Sequence, residues 1–139
     1  MKGATVHKQI YVNLPVKDLQ KSISFFKALG YTFDPQLSNE QGACMILGEN
    51  LYTILLAELF FKTFTAKPIS DATKHTEVLI CVSRDSRAAI DNLVSKTRAA
   101  GAATPNEPQD HGFMYGHGFR DLDGHVWELI YQEPQATAR

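Results

Sequence analysis

The feature that most constrains the fold is a pattern that occurs twice within the 139 residues. Each copy begins with an alternating apolar strand, continues through a helix that stops at a glycine, and ends in three short extended segments. The two helical regions align as VKDLQKSISFFKALGY and VSRDSRAAIDNLVSKTRAAGA, the second helix being longer by roughly one turn. This duplication accounts for nearly the whole chain and predicts an α+β fold made of two βαβββ units.

The first copy spans about residues 8–58. Its opening strand places Tyr11 and Asn13 on the face opposite the apolar one. Asp18 is expected to cap the following helix, and Gly30 suits the left-handed residue that ends it. Three extended segments are predicted at 31–36, 43–47 and 51–57, with a Gly-Glu-Asn turn between the last two.

The second copy spans about residues 77–132. It predicts a strand at 77–83 and a helix that runs from a cap near Asp85 to Gly101. Three further extended segments are predicted near 102–105, 113–120 and 125–132. The intervening residues 59–76 have neither period and form a connector, so we expect one domain over residues 1–139.

The last hairpin leaves two registers open. If Gly124 is a left-handed bulge after a type I turn, Gly118 lies opposite Glu128 and His117 lies on the other face of the strand. Arg120 is then diagonal to Glu128 and is expected to hold it ionised through a salt bridge. A tighter four-residue turn would instead place His117 opposite Glu128.

The bulk composition excludes several classes of protein. Lys and Arg total 14 against 15 Asp and Glu, and no stretch concentrates either sign, so nucleic acid is not an expected partner. No segment approaches the roughly 18 apolar residues of a membrane span, and no secretion signal is apparent, which favours the cytoplasm. Cys44 and Cys81 lack metal or redox spacing and are expected to be reduced core residues.

Two segments, VNLPVKDLQKSISFFKALGY and GFRDLDGHVWELIY, resemble the vicinal oxygen chelate superfamily, which contains glyoxalases, bleomycin-resistance proteins, fosfomycin-resistance enzymes and extradiol dioxygenases. The resemblance covers nearly the whole chain. It implies a curved mixed sheet with helices on the outer face. It also implies a concave surface that binds a divalent metal through one side chain from each of four strands.

The resemblance assigns each of the four ligand positions to a residue of this chain. The first falls on Tyr11, the second close to Leu55 or, with alignment gaps, on Glu58, the third on Glu77 and the fourth on Glu128. If a metal binds, Glu77 and Glu128 are its expected ligands. Two carboxylates alone would bind a divalent ion weakly, so no cofactor is firmly expected.

The ligand-binding set predicted for the concave face is Tyr11, Asn13, Leu55, Glu77, Arg120 and Glu128. Phe60, Phe61 and Phe64 either wall this pocket, as the resemblance implies, or pack in a core or dimer contact.

Two functions compete. The favoured one is a pocket without a complete metal site that binds a small hydrophobic or cationic molecule. The alternative is a lyase, isomerase or transferase of the glyoxalase kind that uses a divalent metal, with Glu128 binding the metal or moving a proton. An extradiol dioxygenase is disfavoured because its iron needs two histidines and a carboxylate. A homodimer is expected, since the family commonly forms one and each half-sheet has edges to cover.

Overall fold

The computed structural model describes residues 6–134, and the chain divides between Ile69 and Ser70 into two compact units. Each unit contains one strand, one long helix and three further strands, hydrogen-bonded into its own four-stranded mixed sheet. The predicted α+β class and the two βαβββ units are therefore confirmed. No helix in the described part of the chain combines the length and the apolar character needed to cross a membrane.

The first unit contains β1 (Ile10–Val16), α1 (Leu19–Ala28), β2 (Thr32–Asp34), β3 (Gly42–Gly48), β4 (Leu51–Ala57) and the short α2 (Glu58–Phe61). The strand order is β1-β4-β3-β2, with β1 parallel to β4 and the other pairs antiparallel. The predicted helix signals are confirmed, because the Asp18 carboxylate accepts a hydrogen bond from the Lys21 amide at 3.1 Å and Gly30 has a φ of 105°.

The core of the first unit lies between α1 and the sheet. The helix packs on β3 and β4. The buried residues include Leu14, Val16, Phe25, Phe26, Leu29, Met45 and Leu55. Thr53 lies in β4 on the face that carries this core, beside Val12 and Met45, and is fully buried. Among the described residues its hydroxyl has no hydrogen-bond partner, which is costly in a core.

The second unit contains β5 (Leu79–Ser83), α3 (Arg87–Ala99), β6 (Gln109–Asp110), β7 (Met114–Arg120) and β8 (Val126–Gln132). The strand order is β5-β8-β7-β6, with β5 parallel to β8, which repeats the topology of the first unit. The helix α3 packs on β7 and β8. Its buried residues are Ile90, Leu93, Val94 and Thr97, which face a core that includes Phe119, Trp127 and Leu129.

The hairpin between β7 and β8 has the first of the two predicted registers. Gly124 has a φ of 92°, and the Asp121 amide donates to the His125 carbonyl at 3.0 Å. Gly118 is the partner of Glu128, and His117 is the partner of Leu129 on the opposite face. The glycine bulge therefore places Glu128 over a glycine and turns His117 toward the helix side of the sheet.

Two boundaries in the second unit differ from the prediction. Ser86, not Asp85, caps α3, since its Oγ accepts a hydrogen bond from the Ala89 amide at 3.0 Å. The strand β6 lies at Gln109–Asp110 instead of 102–105, where Ala103 makes a single bridge to Arg120. The prolines of the segment PNEP lack the N–H that a continuous strand needs, so pairing resumes only after them.

Within the predicted connector, α2 and a 3₁₀ turn at Lys62–Phe64 occupy the beginning, and both are too short to produce a period in the sequence. One other prediction is wrong. Cys44 is buried as expected, but Cys81 is exposed. Cys81 lies on the face of β5 that points away from the core, opposite the neighbouring Ile80.

Thr53 offers a test of the core. We expect Thr53→Val to stabilise the protein by about 1 kcal/mol, because it removes a buried hydroxyl that has no partner. Thr97→Val is the matched control. Thr97 is equally buried but donates to the Val94 carbonyl at 2.6 Å, so its loss should destabilise by about 1 kcal/mol. Urea unfolding midpoints measure both changes, and a lower midpoint for Thr53→Val would contradict this account.

Candidate functional site

The sheet of the second unit has a cavity on the face directed away from α3. Strand alternation places Gly116, Gly118 and Glu128 on this face. The cavity has a volume of about 250 Å³, and we call it the Glu128 cavity. The strands contribute Gln109, Met114, Arg120, Val126 and Ile130 to its lining, and the loops on either side of β6 contribute Pro105, Asn106, Glu107 and His111.

Glu128 lies at the centre of three paired strands. Its neighbours across the sheet are Cys81 in β5 and Gly118 in β7. Burial and, to a smaller extent, the negative charge of Glu128 raise the pKa of the Cys81 thiol. The Cys81 thiol is therefore mostly protonated at neutral pH and is a poor nucleophile.

Arg120 shares the face of Glu128 but does not pair with it. In the described part of the chain, no ion pair joins the two side chains, so the predicted salt bridge is wrong. Arg120 ends β7 opposite Val126 and is exposed. Water solvates an exposed guanidinium well, which leaves little free energy to be gained from a diagonal ion pair.

Glu77 is directed to a different group. It precedes β5, and its Oε2 lies 3.0 Å from Nδ1 of His125. The His125 side chain is 1% exposed and that of Glu77 is 24% exposed. His125 has the parity of the buried residues of β8, whereas Glu128 has the opposite parity. The structure therefore does not bring Glu77 and Glu128 together on one cavity surface.

The turn of the same hairpin holds a cluster of polar groups. One potential ligand atom from each of Asp121, Asp123 and His125 lies within 4.8 Å of the others. Asp121 Oδ1 accepts the amides of Asp123 and His125, both at 3.0 Å, and Oδ2 accepts Nε1 of Trp127 at 3.1 Å. Burial raises the pKa of Asp121, although His125 and these hydrogen bonds oppose the shift. Oδ1 of Asp121 therefore closes the turn, and Oδ2 holds the indole of Trp127.

The first unit has a cavity of about 270 Å³, which we call the Asn13 cavity. It is lined by Asn13, Leu37, Asn39, Gly42, Ile54, Leu56, Phe60 and Phe64. The rings of Phe60 and Phe64 meet edge to face with centroids 5.2 Å apart, so these two aromatics wall a pocket. Phe61 is not part of the lining. Tyr11 has the parity of Asn13 and is stacked on Tyr52.

Leu55 cannot contact a ligand in the Asn13 cavity. It is completely buried and is the partner of Leu14 on the core face of the sheet. Ile54, which pairs with Asn13, lines the cavity instead. A shift of one residue in a strand moves a side chain to the opposite face. The prediction of Leu55 was wrong by one residue in this way. Glu58, the alternative position, begins α2.

The helix caps give a structural equivalence between the two units. Tyr11 lies seven residues before the cap Asp18, and Leu79 lies seven residues before the cap Ser86. Leu79, not Glu77, therefore corresponds to Tyr11. The true cap, Ser86, is not identifiable from the sequence beside Asp85, so the resemblance assigned this position to Glu77.

The strand pairing gives the same equivalence for β4 and β8. Ile54 is the partner of Asn13, and Glu128 is the partner of Cys81. By this equivalence, the positions to which the resemblance assigns metal ligands are Tyr11, Ile54, Leu79 and Glu128. Glu128 is the single carboxylate in this set.

The sequence did not point to the loop that borders the Glu128 cavity. Asn106 is held there because its carbonyl lies 2.9 Å from Nε2 of His117, and this contact brings Glu107 to the cavity. No periodicity marks such a loop. The available signal was the PNEP segment, whose prolines favour a fixed excursion between two stretches of pairing.

Cys81 reports on the geometry around Glu128. We expect Glu128→Gln to lower the pKa of the Cys81 thiol, because it removes the neighbouring negative charge while burial is unchanged. More thiolate at a given pH accelerates alkylation by iodoacetamide. Mass-spectrometric mapping of Cys81 at pH 8 measures the rate.

Glu107→Gln is the control for this experiment, since Glu107 lines the same cavity but does not contribute to the shift at Cys81. Its alkylation rate should match that of the unaltered protein. Equal rates in all three proteins would show that Glu128 does not act on Cys81.

The comparisons with known proteins agree with this architecture. Residues 8–48 match the family model of the bleomycin resistance protein-like N-terminal domain. No curated protein matches the chain significantly. Among solved structures, a hypothetical protein from S. aureus is 29% identical with a TM-score of 0.77, and the match covers 91% of this chain and 95% of that chain.

Two more distant structures share the fold. A glyoxalase/bleomycin resistance protein/dioxygenase family enzyme from Burkholderia phytofirmans is 18% identical with a TM-score of 0.74, covering 88% of this chain and 96% of its own. A fosfomycin resistance protein from Listeria monocytogenes is 19% identical with a TM-score of 0.65, covering 91% and 94%. The family match over residues 8–48 and the shared fold support the resemblance to the vicinal oxygen chelate superfamily.

Proposed function

We propose that this protein binds a small organic molecule on the sheet surface of its second unit, with Glu128 as the charged anchor and without the four-ligand metal centre of its superfamily. The observation that carries the proposal is the Glu128 cavity itself. Its surface combines one carboxylate with two glycines that leave space beside it. Concave sites with a few polar groups are typical of ligand binding.

The donor groups support binding without a metal centre. Of the four equivalent positions, Ile54 and Leu79 have no donor atom, and the ring of Tyr11 is stacked on Tyr52 with its hydroxyl bonded to Gln9. Divalent ions of borderline character prefer three or four imidazole or carboxylate ligands. The residues at these positions do not fit such an ion, so we derive no catalytic step through one.

The chemistry of the lining indicates what the molecule contains. The Glu128 cavity has two carboxylates, Glu107 and Glu128, and one guanidinium, Arg120. Met114, Val126 and Ile130 add apolar surface. A compound with an ammonium group and an apolar body matches both features, since Glu128 can accept charge-assisted hydrogen bonds from the ammonium.

A second function rests on a different observation. The cluster of Asp121, Asp123 and His125 has the atom types of a cation site, and a structural relative is, by its name, a fosfomycin resistance protein. A lyase, isomerase or transferase that depends on a divalent metal is therefore the alternative. The existing hydrogen bonds of Asp121 make it the weaker one.

Binding and metal content separate the two functions. We expect a thermal-shift screen of amphiphilic amines to yield compounds that raise the melting temperature, because ligands of the native state stabilise it. Glu128→Gln should reduce their affinity roughly tenfold or more, as expected for the loss of one charge-assisted hydrogen bond.

Glu49→Gln, at the exposed turn of the first unit, makes the same change of charge away from the cavity and should leave affinity unchanged. Elemental analysis of the purified protein is the second measurement. Stoichiometric metal in the purified unaltered protein would overturn the proposal and favour the enzyme.

We also propose that the protein is a homodimer. The strands β1 and β5 are sheet edges, each with one hydrogen-bonded neighbour, and Ile10 and Leu79 on them are 55% and 58% exposed. Exposed apolar edges favour pairing between chains. Sedimentation velocity should give a dimer that Ile10→Lys weakens, whereas Leu59→Lys on α2 should not. A monomeric unaltered protein would contradict this.

A further inference from the structure

The Glu128 cavity contains two glycines of β7, and the fold requires glycine at only one of these two positions. A Cβ added to Gly118 would lie 2.6 Å from the Trp127 carbonyl oxygen, closer than real Cβ atoms approach backbone. Packing between β7 and β8 therefore demands glycine at 118. The absence of a side chain there has a structural explanation.

The packing of the strands does not explain why residue 116 is a glycine. Its φ lies outside the left-handed range, so an L residue fits the backbone. An added Cβ would meet only the Leu129 carbonyl oxygen at 3.6 Å and Ile130 Cγ2 at 3.9 Å, both ordinary contacts. Glycine weakens a strand relative to alanine and often marks the close approach of a ligand. The fold alone would accept, and gain from, alanine at 116.

We infer that Gly116 is a specificity-determining residue, and that it opens a slot in which a flat part of the ligand lies against the backbone of β7. This rests on the proposed function of the same cavity. The residues paired with Gly116, Gln109 and Ile130, lie on the same face and border the slot on either side.

The dimensions indicate the class of ligand. Adjacent strands are about 4.8 Å apart, so the backbones that carry Gln109 and Ile130 are about 10 Å apart across Gly116. Side chains from both take up part of that width. A planar ring that enters edge-on between these side chains needs only its own thickness, whereas a globular carbon cage needs its full diameter, so the narrowed slot favours the planar ring. With Glu128 in the same cavity, the predicted ligand is a planar aromatic ring system that carries an ammonium group.

Two probes of equal charge and similar carbon number test this directly. They are 2-naphthylmethylammonium, which is flat, and 1-adamantylammonium, which is globular. Binding to the full chain is measured by isothermal titration, and melting temperature is recorded for every variant. We expect the flat probe to bind about tenfold more tightly, the size of discrimination that shape alone provides in an apolar pocket.

Gly116→Ala should reduce the affinity for 2-naphthylmethylammonium about tenfold while the melting temperature stays equal or rises. Gly48→Ala in β3 is the matched control. An added Cβ there also meets its nearest atom, Leu51 Cδ1, at 3.6 Å, and Gly48 lies outside both cavities. The affinity of Gly48→Ala for 2-naphthylmethylammonium should equal that of the unaltered protein.

The outcomes distinguish this inference from the proposed function. Equal affinity for the two probes, or unchanged binding in Gly116→Ala, overturns the slot. If Glu128→Gln still weakens the binding of both probes, the proposed function of the cavity stands without the slot. If neither probe binds the unaltered protein, both are overturned. A fall in melting temperature in Gly116→Ala would show that the fold itself requires this glycine and would also overturn the slot.

Discussion

The hydrogen bonds of Asp121 hold the arrangement on which the second unit depends. One carboxylate receives two backbone amides of its own turn and the indole of Trp127, and it is mostly buried. Together with the left-handed Gly124, these bonds set the register of β7 on β8. A slip of one residue would exchange the two faces of the strand, so this turn decides that Glu128 meets the cavity and Trp127 meets the core.

Because side chains alternate along each strand, each sheet has one face that packs on its helix and one face that carries the candidate binding residues. In the second unit the core face carries Phe119, Trp127 and Leu129 against α3, and the opposite face is left with glycines and Glu128. The resemblance to the vicinal oxygen chelate superfamily implies a metal on this opposite face. Here apolar side chains stand at two of the equivalent positions, which removes the donors that an ion needs but leaves a surface on which an organic group can lie.

The strand faces and the hairpin register could be predicted because they depend on local rules. Alternation identified the Asn13 face, and Gly124 at the end of a type I turn predicted that Gly118 opposes Glu128. The errors arose where a position had to be assigned by counting several residues along the chain. Leu55 was one residue from the cavity position, and Glu77 was two residues from the position equivalent to Tyr11, because neither strand pairing nor the true helix cap is visible in the sequence.

Local spacing was sufficient to predict the duplicated unit, the α+β class, the helix ends at Gly30 and Gly101 and the burial pattern of α3, since each depends on neighbouring residues. Tertiary structure decided which polar groups meet. Only the folded structure shows that Glu77 contacts His125 and that Arg120 does not pair with Glu128. It also shows that the loop of Glu107 borders the cavity. These contacts join residues far apart in the chain, and their choice depends on competing partners and on water, which no local spacing encodes.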